Sequence, residues 1–280
     1  MSPSHHTVPA HHFVPASAFT LEAFADLYTR SFAGYFYPMT QTVAGFSARV
    51  RIDHLDLHHS MVLLVNDVPA GQATLGLRGT QAWCGGFGIA LEFRGRGLGP
   101  PLFAQFVARA RAAGATHLAL EALTRNAAAL KVYTGAGLRI ARETRLFEWT
   151  SDGPDPKPID WAKADLMQIA RHFHRLHAVA PVWGRDLPSL LLRPGLREIA
   201  LNSHGDRAGY VVLSVNDNTA RIVDLAAESA DVATALLTQL QASFAKVISF
   251  DEPADSPVTA AFDLCGFHEF DRQYELKLAL

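Results

Sequence analysis

The chain has 280 residues, of which 49% are hydrophobic and 19% charged, with a formal net charge of −2. That length suits two ordinary domains, each able to bury its own core, and the composition is globular rather than disordered. A near-neutral balance gives no global field for nucleic acid or an anionic membrane, and Cys84 and Cys265 offer neither a disulfide framework nor a metal spacing.

No apolar run approaches the roughly 20 residues of a membrane span. Met1 to Phe13 lacks a cationic segment followed by an apolar one, so the expected setting is the cytoplasm. His5, His6, His11 and His12 lie among Ser and Pro in a stretch read as a loose terminus. Thr20 then reads as the N-cap of a helix carrying Leu21, Phe24, Leu27, Tyr28 and Phe32 on one stripe, broken at Gly34-Tyr35-Phe36-Tyr37-Pro38. The run Asp53–His59 alternates as an amphipathic connector, with no metal expected. Residues 60–66 and 69–78 predict a hairpin around Asn66-Asp67.

A β-like run, Cys84–Ala90, leads into Arg94-Gly95-Arg96-Gly97-Leu98-Gly99-Pro100-Pro101. Leu102, Phe103, Phe106, Val107 and Ala110 then recur at helical spacing. Proline is tolerated in a helix's first turn, where its missing N–H has no partner to lose. Strand, glycine loop and helix start together bring backbone N–H groups and the positive end of a helix dipole to one point, a site for phosphate. A P-loop would end in Gly-Lys-Ser/Thr, and a dinucleotide loop would show G-x-G-x-x-G; this loop does neither. Its spacing is Arg-x-x-Gly-x-Gly.

Residues 117–123 read as a strand, followed by Asn126, Ala129, Tyr133, Gly137 and Leu138. The run to Trp149 supplies one or two closing strands, and Ser151–Pro158 is a linker rich in Pro and charge. Beyond it come helices near 160–178 and 186–193, strands near 197–203, 208–216 and 219–226, and a helix near 231–244. A strand at 246–250, a short helix to Cys265-Gly266-Phe267 and strands to Leu280 complete the chain. Placing Gly266-Phe267 on Gly137-Leu138 brings the preceding helix and strand roughly into register, so the element order repeats. In that register the glycine loop meets Ala227-Glu228-Ser229-Ala230, which lacks glycine and carries an anion; a carboxylate there repels phosphate. His172, His174 and His177 have no ligand-set spacing.

The Arg94–Gly99 loop, with Asn126, Ala129, Tyr133, Gly137 and Leu138 spelling N-x-x-A-x-x-x-Y-x-x-x-G-[FL], resembles the GNAT superfamily of acetyl-CoA-dependent N-acetyltransferases over about residues 60–150. Pro100 and Pro101 depart from the pattern where the family usually has further N–H donors, and Leu91 stands where it usually has Pro. The resemblance implies a mixed α/β fold of two tandem GNAT-like domains, each a mostly antiparallel sheet flanked by helices. The catalytic domain would be 1–150 and a degenerate copy 159–280, joined by linker 151–158.

It also implies a reaction: an amine attacks the thioester of acetyl-CoA directly, in a ternary complex without metal. Positioning alone contributes on the order of 7–11 kcal/mol in well-oriented systems. Arg94, Gly95, Arg96, Gly97, Leu98, Gly99 and Asn126 are the implied diphosphate-side residues. Phe87, Gly88 and Ile89 would hold the pantetheine arm, with the Ile89 N–H as oxyanion donor. Tyr133 is the implied general acid, acting mainly by a hydrogen bond to the departing sulfur.

Glu121 is either the base that takes the amine proton or a structural carboxylate between strands. Phe32, Tyr35 and Phe36 either wall the acceptor pocket or staple the loop into the core. The expected partner is an amine of a small molecule or peptide, with no nucleic acid and no membrane, and the protein a monomer or homodimer. A non-catalytic acyl-CoA-binding module and a Fem-like aminoacyltransferase are the rival readings; the second would leave the CoA loop without a purpose.

Overall fold

A computed structural model describes residues 9–153 and 161–280. His5, His6 and most of the expected linker therefore lie outside the described residues. Within them the chain forms two compact units, one running to Ile140 and regaining Leu276–Leu280, the other spanning Ala141–Glu275.

The first unit begins with β1 (His11–Pro15), α1 (Leu21–Ser31) and α2 (Val43–Ile52). It continues through β2 (Met61–Val65), β3 (Val68–Arg78), β4 (Gln81–Ile89), α3 (Gly99–Ala112), β5 (His117–Leu123) and α4 (Ala127–Gly135). Thr20 caps α1 by accepting from the Ala23 amide at 3.2 Å, and Phe24, Leu27 and Tyr28 turn inward. The β2–β3 hairpin turns at Asn66 and Asp67, with φ of 49° and 63°, a left-handed pair that Asn and Asp tolerate.

The expected loose terminus is instead structured at its end: His11–Pro15 pairs antiparallel with β2. Helix α2 was not foreseen; Thr42 caps it through the Gly45 amide at 3.0 Å.

Strands in this unit run in the order β1-β2-β3-β4-β5, antiparallel as far as β4. Helices cover both faces, and missing side chains set their approach. A Cβ on Gly86 would lie 2.6 Å from the Tyr28 ring, and one on Gly88 2.8 Å from the Ser31 carbonyl, so α1 sits close on β4. On the other face a Cβ on Gly71 would meet Leu102 of α3 at 3.4 Å, where α3 buries Leu102, Phe103, Phe106, Val107 and Ala110.

The second unit takes most of β6 (Arg139–Thr150), then α5 (Leu166–Leu176), α6 (Leu187–Leu192), β7 (Arg197–Ser203), β8 (Asp206–Asn216) and β9 (Thr219–Ala227). It ends with α7 (Ala230–Gln241), β10 (Lys246–Pro253), α8 (Ala260–Leu264) and most of β11 (His268–Ala279). Its strand order is β11-β6-β10-β9-β8-β7. Phe147, Leu213, Ile222, Leu236, Leu240 and Phe262 share its main core.

The division differs from the expected boundary at 151–158. From Ala141 on, β6 belongs to the second unit because it pairs antiparallel with β10, Thr150 opposite Lys246 and Phe147 opposite Ser249. Conversely Leu280, at the chain's end, donates its amide to Thr116 at 2.8 Å, beside the start of β5. The second unit thus takes a strand from before the expected linker, and the first unit regains the chain's end.

Candidate active site

Strands β4 and β5 pair in parallel for only three residues, Gln81 with His117, Ala82 with Leu118 and Trp83 with Ala119. Beyond that they part, and the far halves of both strands face an opening. The Ala90 amide donates to Ala70 on the β3 side at 2.8 Å. Strand amides alternate in direction, so the Ile89 N–H points the other way, toward the side that β5 has left.

The glycine loop follows at the rim. Gly95 and Gly97 have φ of +74° and +72°, a conformation that costs glycine little and other residues more. Residues 94–97 are exposed, whereas Leu98 is buried and anchors the start of α3. Among the described residues no hydrogen bond engages the amides of Gly95, Arg96, Gly97, Leu98 or Gly99, and α3 has no side-chain cap. Five N–H donors at the positive end of a 14-residue helix fit a diphosphate. Pro100 and Pro101 subtract donors only inside the first turn.

Two loop cations and one amide have local duties. Arg94 donates from Nε to Ile89 O at 2.9 Å and from Nη2 to Ser31 O at 3.0 Å, stapling the end of β4 to the end of α1. Arg96 donates to Glu92 O at 2.7 Å and lies over the Phe93 ring. Asn126 caps α4, its Oδ1 accepting from the Ala129 amide at 3.2 Å.

Tyr133 lies on the buried side of α4, only 7% exposed, with its ring 4.9 Å from Phe103 and 5.8 Å from Phe87. Burial, with Cys84, Tyr35 and Tyr28 nearby, pushes its pKa well above the ordinary phenol value. The hydroxyl therefore stays protonated near neutrality and serves as a donor. Among the described residues it makes no hydrogen bond, which leaves that donor available to a ligand. Cys84 lies in the same neighbourhood, its thiol pushed up to about 12 by burial and so inert as a nucleophile.

Glu121 sits on β5 two residues past the last paired position. Its Oε2 accepts the indole N–H of Trp83 at 2.8 Å, a bond across the base of the opening that the sequence reading missed. Arg49 of α2, equally unforeseen, donates to the Gly85 carbonyl at 2.7 Å, where β4 slips register against β3.

An aromatic run covers the α1 side: Tyr28 to Phe32 at 4.8 Å, Phe32 to Tyr35 at 5.3 Å and Tyr35 to Phe36 at 5.2 Å. Arg125, on the turn after β5, lies 4.6 Å over Phe36 and 5.5 Å over Tyr37, and donates to the Tyr37 hydroxyl at 3.1 Å. It ties this loop to the turn carrying Asn126, a link with no signature in the sequence. In the connector, Asp56 accepts from the His58 and His59 amides. No cluster among the described residues is arranged to hold a metal ion, and no described helix is long and apolar enough to cross a membrane.

The acetyltransferase (GNAT) family model matches residues 21–138, which contain the loop, the opening and Tyr133. Residues 21–138 are a GNAT domain. Acetyl transfer from acetyl-CoA is that family's chemistry, and the free amides beside an opened sheet suit such a donor. Solved structures extend the likeness in fold to the whole chain. A GCN5-related N-acetyltransferase from Sphaerobacter thermophilus aligns with a TM-score of 0.68 at 16% identity, over 97% of this chain and 96% of that one. A tandem GNAT protein from the clavulanic acid biosynthesis pathway aligns with a TM-score of 0.66 at 15% identity, over 96% and 98%. No curated protein sequence matches.

Outside the GNAT domain, the second unit also has a parallel pair that parts: β9 and β10 pair from Thr219/Lys246 to Ile222/Ser249 and then separate. At its strand-to-helix turn two amides are engaged. The Glu228 amide donates to Ala208 O at 2.9 Å, and Ser229 caps α7 through the Val232 amide at 3.3 Å. A buried polar network lies nearby. Asp224 accepts from Tyr210 at 2.9 Å and lies 3.1 Å from His177 Nε2, while Arg185 Nη1 meets Glu252 Oε1 at 2.6 Å.

Proposed function

We propose that the protein is an acyl-CoA-dependent N-acyltransferase that moves an acetyl group to a primary amine of a small molecule or peptide by direct attack in a ternary complex. Acetyl-CoA supplies an activated thioester carbonyl and a thiolate leaving group. The five unpartnered amides of Gly95–Gly99 at the positive end of α3 carry this reading. They bind the diphosphate, and the open β4 edge at Phe87, Gly88 and Ile89 takes the arm, with the Ile89 N–H donating to the carbonyl oxygen as negative charge grows there.

Tyr133 offers its hydroxyl proton to the sulfur. Its raised pKa makes full transfer uphill, so it acts by a hydrogen bond that strengthens as the sulfur gains charge. Glu121 accepts the proton released by the amine, directly or through one water. An α-amine, with a pKa near 8, is already partly neutral at pH 7 and asks less of that base than a lysine near 10.4. Phe32, Tyr35 and Phe36 form the apolar wall for the acceptor. The second unit is not the CoA site: its turn has no glycine and presents Glu228, whose carboxylate repels phosphate.

The test is free-thiol release from acetyl-CoA with a panel of tryptamine, spermidine, lysine and an alanine-initiated peptide. Release that depends on one amine class supports the reading; tight acetyl-CoA binding without release for any amine would favour a binding module.

A further inference from the structure

Trp83 is the last residue of β4 in register with β5, opposite Ala119, and its ring runs along the same strand. A Cβ on Gly85 would lie 2.7 Å from the indole Cζ3 and 3.1 Å from Leu55, so Gly85 leaves the space the ring occupies. Held there, the indole has one polar atom, and that atom donates to Glu121 Oε2 at 2.8 Å.

We propose that Trp83 is a positioning residue for Glu121, its indole N–H fixing the carboxylate at the base of the β4–β5 opening in the orientation that receives the amine proton. This rests on Glu121 being the base. A glutamate side chain has three rotatable bonds, and a base works only within hydrogen-bond reach of its proton. A donor on a rigid, packed ring removes that freedom and favours the anionic form.

The groups around this pair leave it chemically distinct. Cys84, next along β4, is neutral with its thiol pushed up to about 12, burial being the main cause and Glu121 a contributor. Tyr28 from α1 and Tyr133 from α4 are raised by burial and remain neutral phenols. From α2, Arg49 is engaged with Asp53 at 3.2 Å and the Gly85 carbonyl at 2.7 Å. Arg125 stands at the turn beyond β5, stacked on Phe36 and Tyr37.

Two readouts test the assignment. In protein labelled with 15N-tryptophan, the Trp83 indole resonance, identified by its loss in Trp83→Phe, should move with pH through a single midpoint. That movement should vanish in Glu121→Gln. In thiol release from acetyl-CoA with the amine panel above, Glu121→Gln should lose roughly 100-fold. Trp83→Phe should lose roughly tenfold at pH 6.5 and less at pH 9, with acetyl-CoA affinity unchanged by calorimetry.

Trp83→His, which keeps a ring N–H, should recover part of the loss and provides the assignment should Trp83→Phe not fold. Wild-type rates in Glu121→Gln would overturn the base and this proposal together. An impaired Glu121→Gln alongside an indole signal that does not titrate, or a Trp83→Phe loss equal at every pH, would overturn the proposal alone.

Discussion

Tyr133 of α4 and Phe87 of β4 meet edge to face, their ring centroids 5.8 Å apart and their planes at 63°. The contact fixes the tyrosine against the strand edge that β5 has left, so its hydroxyl is held by packing rather than by a protein hydrogen bond. Removing the hydroxyl alone leaves the ring contacts intact. Tyr133→Phe is therefore expected to lower kcat by ten- to a hundredfold, with KM for acetyl-CoA within about twofold. Steady-state kinetics at saturating amine checks this, and wild-type turnover would remove the hydroxyl from the reaction.

Arg94 gives a prediction of the opposite kind. The family spacing puts it in the diphosphate loop, yet its guanidinium is committed to Ile89 O and Ser31 O. Arg94→Ala should lower stability by about 1 kcal/mol, since two partly exposed hydrogen bonds are lost, or about 2–4 °C in Tm. Acetyl-CoA affinity should fall by only a few fold. Thermal denaturation and calorimetry decide it; unchanged stability with a large affinity loss would return Arg94 to the ligand.

Arg125 joins the Tyr35–Tyr37 loop to the β5–α4 turn through its stack on Phe36 and its bond to Tyr37. Arg125→Ala releases that tie. KM for the amine should rise about tenfold, on the scale of a stacked cation and one hydrogen bond, while acetyl-CoA binding is retained. Equal losses for both substrates would mean a general disturbance of the domain.

In the second unit Asp251 is pushed up to about 6 from 3.8, chiefly by burial, with Arg185 and Arg221 opposing. A carboxyl raised in the folded state favours folding at low pH and weighs against it once deprotonated. Asp251→Asn, which can still accept from Gln273, should gain about 3 kcal/mol relative to wild type between pH 4 and pH 6.5, the difference then staying constant. Urea denaturation across that range would show a flat difference if Asp251 titrates normally.

Much of the first unit was legible because its signals are local. The strand at 117–123 falls on β5 to the residue, Thr20 does cap α1, and the Asn66-Asp67 turn takes the left-handed φ values its residues favour. The loop and Tyr133 lie at fixed spacings from elements whose periodicity is plain. Strand β6 was legible as a strand but not in its pairing. Its alternation suits either sheet, and only the register with β10 decides. The same holds for Trp83 with Glu121, Arg49 with Gly85 and Arg125 with Tyr37, separated by 38, 36 and 88 positions. Such partners are chosen by folding and leave no spacing to read. Helix α2 had a cap in Thr42 and a basic last turn in Arg49 and Arg51, yet only Phe46 and Ile52 of it are buried, so its stripe is faint.

The account stands on the amides of Gly95–Gly99 gripping a diphosphate. Isothermal titration of wild type and Gly97→Val with acetyl-CoA tests it most directly, because valine at φ +72° distorts the loop. Saturable binding in wild type, weakened more than about tenfold in a folded Gly97→Val, is the expected result. Heat-free titration of the wild-type protein, or equal affinity in the two, would contradict it.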